Sequence, residues 1–273
     1  PHSYCPIMAQ GMRSGLMALF DREMRADPPP AGPAYRVERI GGAVFHVGPL
    51  PEPHHNTVEY SALDEASADT CIEAVVARFE ALGHGTEWKV HGHDRPADLA
   101  QRLLARGFRQ GGRETLMVRE IAGDQPPPSA PAGIDIRRVE SPDALADLVA
   151  VEDEVWSEDH GWLGAELADE MARTPADIAI FIAYAGAKPV SAGWIRIHGA
   201  RAFATLWGGS TLPGYRSRGI YRHLVALRTE LARARGARYL AVEASADSRP
   251  ILERNGFQPL SVIDSYLWRP PGR

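Results

Sequence analysis

Arginine side chains surround a glycine at the start of a long helical pattern in the last third of the chain. They are Arg216, Arg218 and Arg222, and the glycine is Gly219. The first turn of a helix leaves backbone N–H groups unpaired, and these groups together with the helix dipole favour a phosphate. Glycine has no Cβ, so an anion can approach the main chain closely. Because cations are normally favoured at the opposite helix end, the pattern predicts a bound anion; the alternative is an ordinary surface helix.

The stretches on either side predict where this loop lies. A strand-like run, residues 203–210, precedes it, and Pro213 and Gly214 mark the junction. From Ile220, apolar residues recur at spacings of four, three and four, which is one face of a helix. A second strand-like run, residues 239–244, follows that helix. The loop is therefore predicted to connect a strand to a helix.

The segment from Arg216 to Tyr221 resembles the Arg/Gln-x-x-Gly-x-Gly/Ala loop of the GCN5-related N-acetyltransferases (GNAT). It follows Thr211-Leu-Pro213, where that family has Val-x-Pro, and Asn255-Gly-Phe257 is similar to the family's Leu-Gly-Phe. The resemblance covers about residues 134–270. Tyr221 departs from the pattern, because the family has a small residue there, and this side chain is expected to narrow the room near the pyrophosphate.

The resemblance implies acetyl-CoA as the acetyl donor, with no metal or prosthetic group. It implies that main-chain groups of Ser210, Thr211 and Leu212 hydrogen-bond the pantetheine and polarise the thioester carbonyl. The residues expected to cradle the phosphates are Arg216, Ser217, Arg218, Gly219, Ile220, Tyr221 and Arg222. Further expected cofactor contacts are Ser245, Ser248 and Leu252.

The family's usual general acid is missing from this chain. Leu252 stands where many members have a Tyr that protonates the departing thiolate, and Ser245 stands where they have a pantetheine-binding Asn. A thiol with a pKa of about 8.5 leaves as the thiolate near neutral pH, so transfer stays feasible. Tyr266 and Ser248 are candidate replacements. The alternative for Tyr266 is a half-buried strand aromatic, since tyrosine favours strands.

Glu243 is the first candidate for the base that takes a proton from an incoming ammonium group. It alternates with Leu240 and Val242, so its side chain is predicted to face away from theirs. The alternative is a solvated or ion-paired residue near a strand end. His198 and His223 are weaker candidates.

An acidic run with two tryptophans lies between helical patterns that, in the family, border the acceptor site. Trp156, Glu158, Asp159 and Trp162 are therefore expected to bind a cationic amine through charge and cation–π contacts. The alternative is a solvated helix end with packing tryptophans, since runs of charge are usually solvated.

Composition limits the classes of function. The chain has 273 residues, a net charge of −5 and a pI near 6.1, which gives no sign of a nucleic-acid-binding surface. Cys5 and Cys71 are too few for a disulfide framework, and no apolar run has transmembrane length, so we expect a cytoplasmic monomer or homodimer. The groups His54-His55 and His91-Gly-His93-Asp94 lack the partner set of a zinc site, so we interpret them as loop histidines and expect no metal.

The two halves of the chain are similar to each other. In residues 88–108 and 239–257 a strand-like run is followed by an Asp, an Arg-Pro pair and a Gly-Phe pair. The first half has the carboxylate-rich segment Leu63–Asp69 where the second has its arginine–glycine loop. Carboxylates at a helix start repel phosphates, so we interpret the first half as a degenerate copy that packs or shapes the substrate cleft without binding CoA.

The predicted fold class is α/β, with an α+β mixed sheet, in two tandem acyl-CoA N-acyltransferase (GNAT-like) domains. The predicted divisions are an N-terminal extension and helix (1–33), the degenerate domain (34–121), a Pro-rich linker (122–133) and the acetyltransferase domain (134–273). The predicted function is acetyl transfer from acetyl-CoA to the amine of a small-molecule or amino-acid-like acceptor in a ternary complex, with no nucleic-acid or membrane partner. The alternatives are a non-catalytic CoA-binding sensor or scaffold, another acyl donor, or O-transfer.

Overall fold

The computed structural model of the chain describes residues 10–121, 123 and 128–272. The first nine residues and part of the predicted linker lie outside this description. Spatial contacts divide the chain into two compact units: unit 1 combines Pro1–Met117 with Glu243–Arg273, and unit 2 is Val118–Val242. The predicted domain boundaries follow the sequence repeat rather than spatial contacts, so they remain a prediction.

The secondary structure alternates between helices and strands. The helices are α1 (Gln10–Phe20), α2 (Ala68–Leu82), α3 (Leu99–Ala105), α4 (Leu145–Trp156), α5 (Gly161–Arg173), α6 (Ile220–Ala234) and α7 (Arg249–Arg254). The strands are β1 (Arg36–Ile40), β2 (Ala43–Val47), β3 (Thr57–Ser61), β4 (Thr86–His91), β5 (Arg109–Glu120), β6 (Asp135–Arg138), β7 (Ile178–Ala185), β8 (Lys188–Ile197), β9 (Phe203–Thr211), β10 (Tyr239–Ala244) and β11 (Gln258–Trp268). No helix among the described residues is long and apolar enough to cross a membrane.

Most of these elements follow from the sequence periodicity, and the mixed α/β class is confirmed. The clearest differences are β5 and β11, because the apolar runs in the sequence, residues 115–118 and 265–268, predict strands that start about six residues later than the structure has them. Gly107 and Gly256, with φ of 86° and 83°, turn the chain directly into each strand. The first half of β5 carries mainly exposed polar and glycine residues, which hide a strand from a search for apolar alternation.

Unit 1 contains a sheet in the order β1-β2-β3-β4-β11. The pairs β1–β2, β2–β3 and β4–β11 are antiparallel, and β3–β4 is parallel. Helices α2 and α3 supply apolar side chains to its core, which includes Phe45, Phe79, Leu103, Trp88 and Phe108. A π-helical turn, Asp21–Ala26, continues α1 and packs against β3.

Unit 2 contains strands in the order β10-β9-β8-β7-β6. The pair β9–β10 is parallel, and the other three pairs are antiparallel. Both α4 and α6 pack against β8 and β9, and α5 packs against α4. Nearly all of β7 and β8 is buried. The division between the units falls within β5 and within β10.

Candidate functional site

Helix α6 in unit 2 begins without a side-chain cap. Its N-cap is Gly219, which has φ of 83°, in the left-handed region that glycine adopts at little cost. No acidic residue lies in the first turn, and no described side chain hydrogen-bonds the cap position. Ser217 also has a positive φ, 62°. The first N–H groups of α6 therefore remain available to an anion from outside the helix.

The predicted arginines lie at this uncapped end, and all three are exposed. Arg216 Nε donates to the Thr211 carbonyl oxygen at 3.0 Å, which ties the loop to the end of β9. The Arg218 guanidinium lies 4.9 Å from the centre of the Tyr215 ring. The structure therefore brings the positive helix end and the arginine side chains of the predicted phosphate loop into one place.

Strand β9 leaves its partner β10 before reaching this loop. Their pairing runs from Phe203 to Thr205, opposite Tyr239–Ala241. On its other edge, β9 stays paired with β8 as far as Thr211. The last six residues of β9 therefore have backbone groups that β10 does not use, and these residues include the predicted contacts Ser210 and Thr211.

A bulge in β9 lies just before those contacts. Ala192 pairs with Ser210 and Gly193 with Gly208, so Gly209 is the extra residue. A Cβ on Gly208 would lie 2.5 Å from the Trp194 ring, so only glycine fits that position. A Cβ on Gly209 would lie 2.7 Å from the Tyr221 ring. Tyr221, which we expected to narrow the room near the pyrophosphate, thus has its ring against the bulge.

Arg228, on the buried side of α6, holds the bulge from within unit 2. It is 1% exposed, and its Nη1 donates to the carbonyl oxygens of Trp194 and Trp207 at 3.2 and 3.1 Å. Burial lowers the pKa of its guanidinium to about 10. The sequence alone did not assign a role to Arg228. Its position on the apolar face of α6 with Ile220 and Leu224 could have indicated a buried arginine.

Glu152 on α4 is a second residue that sequence reasoning did not assign to the site. It is 4% exposed, and its Oε2 accepts from Ser210 Oγ at 2.7 Å and from Trp156 Nε1 at 3.0 Å. Its Oε1 is buried without a hydrogen-bond partner among the described residues. Burial raises the pKa of this carboxyl group above its usual value, and the two hydrogen bonds oppose that rise. The sequence did offer an indication of this role, because Glu152 shares the core-facing side of α4 with Leu148 and Val151.

The expected acceptor residues lie around the α4–α5 connection in unit 2. Trp156 and Trp162 are 58% and 38% exposed. Glu158 and Asp159 are also exposed, and Asp159 Oδ1 accepts from the Gly161 N–H at 2.8 Å, next to the start of α5. Of these four, Trp156 contacts Ser210, since its Nε1 lies 3.2 Å from Ser210 Oγ.

Glu243, the predicted base, lies in unit 1 as an ion-paired residue. Lys89 Nζ donates to its Oε2 at 2.7 Å, and 30% of the Glu243 side chain stays exposed. Burial, opposed by Lys89 and assisted by Glu114 and Glu59, raises the pKa of Glu243 to about 7. A carboxyl group with this pKa can exchange a proton near neutral pH.

The remaining predicted residues of unit 1 are largely enclosed. Tyr266 is 5% exposed, lies opposite Trp88 and belongs to the apolar core of that unit. Leu252 is 1% exposed. Ser245 and Ser248 lie 3.2 Å apart through their hydroxyl oxygens.

The histidines considered as bases or metal ligands are accounted for by local packing. In unit 2, His198 Nε2 lies 2.8 Å from Thr205 Oγ1, and burial lowers its pKa to about 3. His223 is 9% exposed, with Nδ1 unpartnered among the described residues. In unit 1, His93 Nε2 lies 2.7 Å from Asp21 Oδ2. Within the described ranges, no group of three metal-binding side chains comes together.

Unit 1 has its own pair of separating parallel strands, and side chains of that unit fill the gap. Strands β3 and β4 pair only at Thr57–Glu87 and Val58–Trp88. Beyond this point Arg25 Nε donates to the Glu59 carbonyl oxygen at 2.9 Å, and Arg25 Nη2 donates to Asp94 Oδ2 at 2.7 Å. The same Asp94 oxygen accepts from the His91 N–H at 2.9 Å. The ion pair thus occupies backbone groups of both strands.

A carboxylate of unit 1 binds backbone N–H groups in the turn just before α2. Asp64 Oδ1 accepts from the backbone N–H groups of Ala66 and Ser67 at 3.1 and 2.8 Å. It also accepts from Ser67 Oγ at 2.6 Å. The predicted carboxylate therefore lies beside this helix start, where its charge disfavours a phosphate.

Comparison with known proteins finds a family match for part of the chain. Residues 142–257 match the sequence model described as "Acetyltransferase (GNAT) family". The fold resembles a GCN5-related N-acetyltransferase from Kribbella flavida, with a TM-score of 0.68 and 18% identity over 97% of this chain and 96% of that one. It also resembles a tandem GNAT protein from the clavulanic acid biosynthesis pathway, with a TM-score of 0.61 and 15% identity over 93% of each chain.

A third similar structure is a GCN5-related N-acetyltransferase from Sphaerobacter thermophilus, with a TM-score of 0.59 and 14% identity over 85% of this chain and 82% of that one. The comparison with curated proteins gave no match. The family match covers the loop, α4 and the bulged strand of unit 2, and the structural likenesses extend over most of the chain. Residues 142–257 therefore match the GNAT acetyltransferase family, and the fold of the chain is similar to that of GNAT proteins, including a tandem one.

Proposed function

We propose that this protein transfers an acetyl group from acetyl-CoA to the amine of a small molecule. The observation that carries the proposal is the uncapped start of α6, with Gly219 in the left-handed conformation and exposed arginines around it. This end of the helix fits a diphosphate by charge and by its free N–H groups. It directly follows the part of β9 that β10 leaves unpaired, where we place Ser210 and Thr211 beside a pantetheine arm. The predicted contact Leu212 is not available, because its N–H donates to the Val190 carbonyl oxygen and its carbonyl oxygen accepts from the Tyr215 N–H, both at 2.9 Å.

In this proposal acetyl-CoA supplies the acyl group as a thioester, and the chain supplies position and charge. Arg216, Arg218 and Arg222 bind the phosphates, and N–H groups of the free β9 edge donate to the carbonyl oxygen as negative charge develops on it. Donors fixed in place before the reaction are typically the largest catalytic contribution. Arg228 keeps the bulge of that strand in one conformation through the carbonyl groups of Trp194 and Trp207.

We propose Glu152 as the first candidate for the base that accepts the proton of the acceptor ammonium. It lies beside Ser210, at the free part of β9, and its Oε1 has no partner among the described residues. Its raised pKa brings it closer to the range in which a carboxylate can accept a proton near neutral pH. Glu243 stays the second candidate, because its pKa of about 7 suits the same role but Lys89 already holds its Oε2.

A CoA-binding sensor without turnover is the alternative function. Two observations favour this sensor. Leu252 is buried at the position where the family resemblance implies a Tyr that acts as general acid, and the ring of Tyr266 lies in the core of unit 1. Without a general acid, the enzyme depends on CoA leaving as the unprotonated thiolate. The thiol pKa of about 8.5 permits this near neutral pH.

Release of free thiol from acetyl-CoA, measured across a panel of amines, separates the two functions. For the enzyme, we expect Glu152→Gln to lower kcat by about 10²- to 10⁴-fold with acetyl-CoA affinity changed less than about threefold. Glu154→Gln, an exposed glutamate on the same helix, is the matched control and should change neither quantity.

The pH profile identifies which carboxylate is the base. A base must be deprotonated, so turnover should fall as pH falls through its pKa, and Glu152→Gln should remove that acidic limb. If Glu243→Gln removes a limb near pH 7 while Glu152→Gln leaves it in place, Glu243 is the base instead. Tight binding of acetyl-CoA with no thiol release for any amine would support the sensor.

A further inference from the structure

We infer that the acceptor of unit 2 is a monoamine whose nitrogen is carried on an apolar, ring-sized body, held between Trp156 and Trp207 with its ammonium group at Glu152. This inference rests on the proposed transfer and specifies its substrate class. It predicts alkyl or arylalkyl amines without a free carboxylate as acceptors, in preference to amino acids, amino sugars and polyamines.

Glu152 provides the recognition of the ammonium group. It is almost fully buried, and one of its two oxygens is satisfied by Ser210 and Trp156. The other oxygen has no partner among the described residues. A buried carboxylate oxygen without a donor is costly to the fold, so it is a strong site for an N–H group that arrives with a ligand. The negative charge here also disfavours an acceptor that carries its own carboxylate.

Trp156 offers carbon surface rather than a hydrogen bond. Its side chain is 58% exposed, yet its indole N–H already donates to Glu152 Oε2 and lies within hydrogen-bond distance of Ser210 Oγ. An exposed indole whose only donor is used internally can contact a ligand through its ring alone. It can also hold a cation by cation–π attraction beside the Glu152 carboxylate.

Trp207, in the bulged part of β9, is a second indole with the same properties. It is 42% exposed, and its N–H donates to Thr205 Oγ1 at 2.9 Å. The Arg196 guanidinium stacks 4.7 Å from a ring centre of the indole. Glu170 of α5 holds that guanidinium through three hydrogen bonds, at 2.9, 3.1 and 2.8 Å. Trp207 is therefore a fixed apolar surface, and the charge of Arg196 is already matched.

The two tryptophans border the same stretch of strand. Trp156 reaches Ser210 from α4, and Trp207 precedes Ser210 by three residues on β9. A strand advances about 3.3 Å per residue and a bulge shortens that advance, so the two contacts lie roughly 7–10 Å apart along the strand. This distance suits one ring or a branched alkyl group. Neither indole can pair with the hydroxyl groups of a sugar.

The test compares acceptors on the full chain with acetyl-CoA as donor and free thiol as readout. The amines are 2-phenylethylamine, isobutylamine, glucosamine, lysine and spermidine. We expect kcat/KM for the first two to exceed that of the last three by about tenfold or more. If glucosamine, lysine or spermidine is the better acceptor, the inference is wrong while the proposed transfer stands. If no amine releases thiol, the proposed transfer itself has failed.

Substitutions of Trp207 test whether its ring contacts the acceptor. Trp207→Ala should raise KM for 2-phenylethylamine about tenfold and leave KM for methylamine within about twofold, because methylamine does not reach the ring. Trp207→Phe keeps carbon surface and should restore most of the affinity, which separates recognition from misfolding. Val262→Ala, an equally exposed apolar residue in unit 1, is the matched control and should leave KM unchanged. An equal rise in KM for both amines in Trp207→Ala would overturn the inference.

Discussion

Each unit contains a pair of parallel strands that separate after two or three paired residues, and the two separations end differently. In unit 1, Arg25 and Asp94 bind the backbone groups that β3 and β4 release. In unit 2, the end of β9 keeps a backbone edge that its partner β10 does not use. The backbone groups freed by such a separation can therefore be bound by charged side chains of the same chain or stay available to a ligand.

The helices that follow these strands differ in the same sense. Asp64 accepts from N–H groups of the turn just before α2, whereas exposed arginines surround Gly219 at the start of α6. A carboxylate beside one helix start and arginines beside the other give opposite preferences for a phosphate. We therefore expect a few side chains, rather than the fold, to decide which unit can hold a CoA-like molecule.

Reversing the charge of the α6 loop should have the largest effect. We expect Arg216→Glu and Arg218→Glu together with Gly219→Val to weaken acetyl-CoA binding by about 10²-fold or more, because charged hydrogen bonds are worth about 1.5–3 kcal/mol each. Calorimetric titration measures this. Arg138→Glu with Arg173→Glu makes the same change in net charge at exposed positions of unit 2 and should leave binding intact.

The stoichiometry of the same titration tests whether unit 1 also binds acetyl-CoA. The unaltered chain should bind one acetyl-CoA, and the loop variant should bind none. A full equivalent that survives in the loop variant would mean that unit 1 takes the ligand despite Arg25 and Asp64. That result would end the interpretation of the first half of the chain, residues 34–121, as a degenerate copy.

Breaking the ion pair that fills the gap in unit 1 should have the next largest effect. Arg25 and Asp94 are 2% and 3% exposed in their side chains, so Arg25→Met leaves a buried carboxylate without its partner. We expect a loss of about 3–5 kcal/mol in the free energy of unfolding, measured by denaturant titration. Arg78→Met breaks the more exposed pair with Glu38 and should cost about 1 kcal/mol or less. Equal losses of unfolding free energy in the two variants would show that burial of the Arg25–Asp94 pair does not increase the cost of breaking it.

A fall of one pH unit below about 6.5 should produce the smallest effect, and it should act on both units. Burial lowers the pKa of His55 in unit 1 to about 4 and that of His198 in unit 2 to about 3. Both are neutral in the fold, whereas the unfolded chain binds a proton below about pH 6.5. Stability should therefore be lost as pH falls from about 6.5 towards these values, by at most about 1.4 kcal/mol per pH unit for each histidine.

Histidine variants assign the acid effect to a unit. His198→Gln should flatten the dependence of unfolding free energy on pH below 6.5, and His55→Gln should do so independently. Denaturant titrations at several pH values measure both slopes. An unchanged slope in His198→Gln would show that this histidine titrates in the fold as it does in the unfolded chain.

Much of the architecture could be predicted from the sequence, because it depends on neighbours a few residues apart. The helix from Ile220 and the strand runs 203–210 and 239–244 agree with the structure to within a few residues. The loop around Gly219 was visible for the same reason, since a helix start and its nearby arginines are local. Asp64 was local too, and its carboxylate accepts from N–H groups of the turn just before α2.

Only the tertiary structure showed the roles of Arg25, Glu152 and Arg228. Arg25 meets Asp94 across 69 positions of sequence, and Glu152 meets Ser210 across 58. The chemistry of a charged group depends on whether it is buried and on what faces it, and both are set by strands and helices that are distant in sequence. The sequence alone therefore determined the class of fold and made the loop around Gly219 visible. Which carboxylate is left unpaired and which gap is filled were decided by packing.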